Sequence, residues 1–147
     1  MIRPIVLLLS SVLCLAMPVA AQRAAYTPAP GTAERAAIMD AVRATTQRQL
    51  RGQQVRFVAH HLRAMNGWAF LFGEPRRVDG RRFDYRGTPY QEAFEAGAFD
   101  SNVSALLHRE GGRWRVVAFD MGATDVVWED WPTRYHAPPQ VFPSYGR

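Results

Sequence analysis

The sequence contains no lysine, and its one cysteine, Cys14, lies near the N-terminus. Every basic residue is therefore arginine, as a GC-rich coding bias produces without any recognition chemistry. From Gln22 onward there is no thiol at all, so neither a disulfide nor a catalytic cysteine can exist in that stretch. A domain of this kind sent to an oxidising compartment must be held by its core alone. No second long apolar run follows the N-terminal one, so a membrane-spanning helix is not expected in the body of the chain. A Gly-rich phosphate loop, a nucleophile elbow and a zinc-protease motif are missing too, which removes the most recognisable enzyme classes. There is no internal repeat and no extended low-complexity segment.

The first residues carry the features of an export signal. Arg3 supplies a positive start, Ile5 to Met17 form a short apolar run, and Val19-Ala20-Ala21 places small residues where signal peptidase cuts. Pro4 and Pro18 bracket a run shorter than the ~20 apolar residues that span a bilayer, so residues 1–21 are expected to be cleaved. Leu13 precedes Cys14 where a lipoprotein signal has a small residue, which argues against lipidation. The mature chain is expected to begin at Gln22 and to be periplasmic or secreted. Residues 22–31, with Pro28, Pro30 and Gly31 and no periodicity, read as a flexible leader. Residues 32–147 then suit one domain.

Thr32 is placed to cap a helix, Glu34 suits its positive end, and Gly52 is a natural stop. Between them Ile38, Val42, Thr45 and either Gln49 or Leu50 recur at helical spacing, with Arg35, Arg43 and Gln47 opposite. Val55 to Met65 and Trp68 to Gly73 flank Asn66-Gly67, the turn pair of a two-residue hairpin. Its register sets Met65 opposite Trp68, Arg63 opposite Phe70 and His61 opposite Phe72, on one face with Phe57 and Ala59. Val58, Leu62, Ala64, Ala69 and Leu71 take the other face, and Pro75, lacking an N–H, is expected to end the ladder. Arg76 to Gly87 is polar and holds Asp79-Gly80, so it reads as a loop or a distorted strand pair. Tyr90 to Ala98 fits a short helix or an irregular strand equally. A second hairpin joins Val103–Glu110 to Arg113–Met121 through Gly111-Gly112, with Glu110 facing Arg113, Leu107 facing Val116 and Leu106 facing Val117.

These elements define an α+β domain: an N-terminal helix packed on an antiparallel sheet of about four to five strands. Both hairpins are apolar on both faces, and one helix covers only one. The second face must be covered by the segment around Tyr90, by a second subunit in a homodimer, or by the C-terminal tail. That tail carries Trp128, Trp131, Tyr135, Phe142 and Tyr145 and is expected to dock on the body. The stretches GWAFLFGEP (Gly67 to Pro75) and ALLHREGGRWRVVAFDMGATDVVWEDWPTRYHAPPQVFP (Ala105 to Pro143) resemble a group of short exported bacterial proteins of unknown function, a resemblance that implies no activity. A helix followed by a meander is also similar in architecture to cystatin-like and steroid-isomerase-like folds.

Three constellations are candidates for function. Asp120 is placed on the face of Val103, Ala105, Val116 and Ala118, where burial would raise its pKa, and His61 is its candidate acid–base partner. The structural reading of Asp120 is that it ends a strand and satisfies N–H groups around Gly122 and Ala123. Trp128 and Trp131, beside Glu129 and Asp130, could stack a sugar or pack on the sheet. His60 and His61 point to opposite faces of a regular strand and, with His108 and His136, lack ligand spacing, so neither metal nor cofactor is expected. The Asn102-Val103-Ser104 sequon has no meaning in a bacterial protein.

The third constellation is electrostatic. Between Gln22 and Arg82 the chain has eleven arginines against Glu34, Asp40, Glu74 and Asp79. The remainder is net acidic. Arg76, Arg77, Arg81, Arg82 and Arg86, with Phe83 and Tyr85 among them, form the densest basic group. Export makes nucleic acid an unsuitable partner and favours an anionic envelope component or an acidic protein. The expectation is a non-catalytic binding or accessory module at the cell envelope. Its alternatives are a solvated loop with internally paired arginines and a small cofactor-free hydrolase or isomerase using Asp120 and His61.

Overall fold

The computed structural model describes residues 24–144; the export signal read over residues 1–21, and Tyr145, lie outside the described residues. Helix α1 (Ala33–Gln49) starts at Thr32, whose side chain accepts from the Arg35 N–H, and Gly52 follows its end with φ +83°. Its buried stripe is Ile38, Val42, Thr46 and Leu50. The stripe thus runs at steps of four through Thr46 rather than Thr45, whose neighbour places its hydroxyl against the Val42 carbonyl at 2.9 Å.

Four strands follow, β1 (Val55–Met65), β2 (Trp68–Arg77), β3 (Val103–Glu110) and β4 (Arg113–Met121), paired antiparallel in chain order. The first hairpin has the expected pairs Met65–Trp68, Arg63–Phe70 and His61–Phe72. The alternation then breaks, because Ala59 pairs with Gly73 and His60 is an extra residue. This bulge turns the earlier part of β1 over. Phe57 consequently packs with the helix-side core, not with Met65 and Phe70. Gly73 makes the bulge possible, since a Cβ there would come within 2.6 Å of the Val58 carbonyl oxygen.

A second bulge sits in β4. Leu107 pairs with Val116, but Leu106 pairs with Ala118 instead of Val117, and Ser104 with Asp120. Asp120 therefore lies on the face of Ser104 and Leu106, opposite to the face expected from unbroken alternation. Pro75 does not end β2, which continues to Arg77 against β1. Beyond Gly73 the strand has no β3 partner, and a proline is tolerated at such an edge.

The sheet separates two cores. On one side α1 covers Val55, Leu62, Ala64, Leu71, Val103, Ala105 and Leu107. On the other, the C-terminal tail folds through a short helix α3 (Trp131–Arg134) and a 3-10 turn at Pro139–Val141 over Met65, Phe70, Leu106 and Ala118. Phe70 is the hub, with ring centroids 5.2 Å from Trp128, 6.1 Å from Trp131 and 4.8 Å from Phe142. The tail thus docks on the body and covers the second face itself. His61 fastens it, its Nε2 lying 2.7 Å from the Val141 carbonyl oxygen.

The segment around Tyr90 forms a short helix, α2 (Gln91–Glu95). The leader is fastened rather than loose where it is described: Tyr26 exchanges two backbone hydrogen bonds with Ala64, at 2.9 and 2.7 Å. Among the described residues no helix is long and apolar enough to cross a membrane.

Candidate functional site

The unequal lengths of β2 and β3 create a concavity at the end of the sheet. The last β2–β3 pair is Gly73–Val103, while β2 runs on alongside β1 through Glu74, Pro75, Arg76 and Arg77. The notch left beyond β3 is walled by the chain that loops out and returns to it, the Arg77–Ser101 segment. The result is a cavity of about 470 Å³, whose lining includes the charged Arg56, Glu74, Arg76, Arg77, Arg81 and Arg82 and the rings of Phe83, Tyr85, Phe94 and Phe99.

Local chemistry explains why the loop takes this shape. Asp79 accepts from the Arg77 guanidinium at 2.9 and 2.5 Å and from the Arg81 N–H at 3.0 Å, and Gly80 adopts φ +75°. Such a carboxylate-closed turn needs Asp at its first position and tolerates glycine at the next. Further along, Gln53 donates to the Asp84 carbonyl at 2.7 Å and accepts from the Asp84 N–H at 2.9 Å. The loop is thereby tied to the residues that follow α1. The aromatic wall supports itself: Tyr85 lies 4.6 Å from Phe94 and 4.8 Å from Phe99, and Phe94 is 6.2 Å from Phe99. Tyr85 is buried, whereas Phe94 is half exposed.

The arginines divide into two groups. Arg76 binds Glu74 at 2.8 Å, Arg77 binds Asp79, and Arg86 binds Asp84 at 2.7 Å. These partners respond as expected: the Arg76 guanidinium lowers the pKa of Glu74, that of Arg77 lowers Asp79, and Arg86 brings Asp84 down to about 2. Among the described residues Arg56, Arg81 and Arg82 form no close ion pair with a carboxylate, although the charge of Arg81 also helps to lower the pKa of Asp79. Five arginines therefore line the cavity against one carboxylate, Glu74, which Arg76 already holds. Arg56 also sits directly opposite Arg76 across the strand pair, an arrangement of like charges that is unfavourable without an anion nearby. Arg86 stands apart, lining a shallow groove with Arg51 and Asp84 instead.

The other candidates are dispersed or sealed. His61, Phe72, Ser104 and Asp120 form one row across the sheet. His61 and Asp120 are thus on opposite edge strands, roughly 14 Å apart at three inter-strand spacings, with His61 engaged by the tail. They do not converge as an acid–base pair. Burial raises the pKa of Asp120, and the Ala123 N–H partly offsets this by hydrogen bonding to it. The strand-ending reading accounts for its position in part: the Gly122 N–H goes to the Asn102 carbonyl, and Asp120 Oδ1 is buried without a hydrogen-bond partner among the described residues. Trp128 and Trp131 are each only 6% exposed. Packed on Phe70, they cannot offer a ring face to a sugar, and their place in the core is a correction to their candidacy as binding residues. The His60 bulge does bring His60 to the tail side near Phe72, at 6.1 Å between ring centroids, beside His61. No group of three metal-binding side chains joins them among the described residues.

Arg56, Phe94 and Phe99 are not legible in the sequence as lining residues. Arg56 reaches Arg76 only because the bulge shifts the register by one, and Phe94 and Phe99 belong to a segment without periodicity. No protein-family model matches the chain, and no curated protein and no solved structure matches it significantly.

Proposed function

We propose that this protein is a non-catalytic binding module of the cell envelope that takes an anionic group into the arginine-lined cavity at the end of β2. The observation that carries this reading is the set of three arginines, Arg56, Arg81 and Arg82, that line the cavity without a close ion pair to a carboxylate among the described residues. A solvated loop would pair its arginines internally, as Arg77 and Arg86 are paired; these three are left over beside a concave wall. Guanidinium forks match phosphate and carboxylate geometry. The paired Arg76 and Arg77 shape the rim, and the free arginines supply the attraction. The export signal and the resemblance to short exported proteins support an envelope location, where phosphate-bearing and carboxylate-bearing polymers are abundant. The acid–base alternative lacks the convergence of Asp120 and His61 that it requires.

The test is co-sedimentation with anionic vesicles, lipopolysaccharide and peptidoglycan at low and moderate salt, comparing the wild type with a triple Arg56→Gln, Arg81→Gln, Arg82→Gln variant. All three side chains are exposed, so the variant is expected to keep its melting behaviour within about 0.5 kcal/mol of stability. Binding by the wild type is expected to fall steeply with salt, since exposed charges are screened over ~8–10 Å. The variant is expected to lose most of it. Equal binding by the two proteins, or none by the wild type, would show that the arginines are merely solvated.

A further inference from the structure

The lining of the cavity is of two kinds, and that mixture restricts the ligand beyond its charge. It combines five arginines with four aromatic rings, of which Phe94 is 49% exposed. An inorganic anion would use only the arginines. Exposed aromatic surface next to unpaired cations is costly to maintain, and a ligand with a charged head and an apolar body removes both costs at once. The volume of about 470 Å³ lies within the range of sites for whole small molecules rather than bare ions.

We infer that the cavity binds an amphiphilic anion: a phosphate-type head held by Arg56, Arg81 and Arg82, joined to an aromatic or acyl body that lies against Phe94 and Phe99. This rests on the anion-binding reading above and deepens it. The head sits where β2 outruns β3, because the free guanidinium groups flank that notch. The body then lies toward Phe94 of α2 and Phe99, which pack with Tyr85. The arrangement at the back of that wall is rigid. The Phe99 ring lies directly on Gly122, where a Cβ would overlap it, and Gly122 has φ +90°. Tyr85, buried between Phe94 and Phe99, completes the support. Phe94, in contrast, is free to adapt to the shape of the ligand.

Calorimetric titration of the purified protein with inorganic phosphate, phenyl phosphate, octyl phosphate and the uncharged octyl glucoside tests the inference. Phenyl or octyl phosphate is expected to bind at least about tenfold more tightly than inorganic phosphate, a difference of about 1.4 kcal/mol. Octyl glucoside should bind no better than inorganic phosphate, since it lacks the head. Replacing the half-exposed Phe94 by alanine should remove the gain of the esters over inorganic phosphate. The arginine triple variant should lose both that gain and the binding of inorganic phosphate. Preference for the phenyl ester identifies an aromatic body and preference for the octyl ester an acyl body, and either supports the inference. If neither ester exceeds inorganic phosphate, or if Phe94→Ala keeps the gain, the amphiphile assignment is wrong while arginine-dependent sedimentation with envelope polymers still stands. Failure of every phosphate to bind together with failure of that sedimentation removes both readings.

Discussion

Two parts of this molecule are rich in aromatic side chains, and they do opposite things with them. The tail brings Trp128, Trp131 and Phe142 around Phe70 and seals the sheet's second face, leaving each of the two tryptophans 6% exposed. The segment from Phe83 to Phe99 gathers a comparable number of rings into the lining of an open cavity that five arginines share. Aromatic density therefore does not distinguish a core from a site. What distinguishes them is the charge beside the rings. In the tail the neighbouring acidic residues turn outward and the rings meet one another around a fully buried hub. In the cavity the rings meet unpaired guanidinium groups, and the space between is left to solvent or ligand.

The largest expected effects lie on the sealed side. Trp131→Ala should cost about 3–5 kcal/mol, because removing a buried indole loses its transfer energy and leaves a cavity that rigid neighbours cannot fill. Against a typical total of about 5–15 kcal/mol, the variant should melt far below the wild type in a thermal scan followed by circular dichroism. Deleting residues 126–147 should leave no folded domain. A tail deletion that melts like the wild type would mean that the aromatic segment does not seal the second face. A smaller effect is expected at the back of the open wall. Gly122→Ala forces a side chain into φ +90° and against the Phe99 ring, at a cost of about 1–3 kcal/mol. The cost stays below that of Trp131→Ala because the change adds one methyl group beside Phe99 instead of emptying the space of a buried indole. The same variant should weaken binding of octyl phosphate, which no destabilisation of equal size in the tail should do.

This contrast also marks how far the sequence is legible. Helix α1, the Asn66-Gly67 and Gly111-Gly112 hairpins and the docking of the tail follow from periodicity, turn chemistry and the need to cover a two-faced sheet. The face of Asp120 does not, because the extra residue at Val117 inverts the alternation after it, and nothing in the local sequence marks that bulge. The same holds for Arg56, displaced by one position at His60. The arginine group from Arg76 to Arg82 was visible as density, but density treats paired and unpaired cations alike. Only the structure separates Arg77 and Arg86, held by Asp79 and Asp84, from Arg81 and Arg82. Trp128 and Trp131 illustrate the converse: their residue type suits a sugar platform and a core equally, and burial decides between them.

Carboxylates in the two regions also titrate in opposite directions, and the smallest predicted effect follows from that. Near the cavity, Glu74, Asp79 and Asp84 are held low by their arginines. Their contribution is present above the unfolded value and is lost progressively as pH falls through the lowered pKa. Asp120 shares the row of Phe72, which stacks on Trp128 at 5.3 Å, and burial raises its pKa. Its charge reaches Tyr90, whose hydroxyl is pushed up to about 12 by burial first and by Asp120 second. The sign is therefore reversed: Asp120 favours the folded state when protonated, at pH below its unfolded value of 3.8, and that contribution is lost as pH rises through its raised folded pKa. Asp120→Asn keeps an oxygen able to accept from the Ala123 N–H and removes the charge. The variant should melt slightly above the wild type at pH 7, with the difference closing as pH is lowered toward 3.5. A wild type that melts higher at pH 7 would mean that the Asp120 carboxylate is stabilised by a partner stronger than the Ala123 N–H, and the contrast between the two regions would lose its electrostatic half.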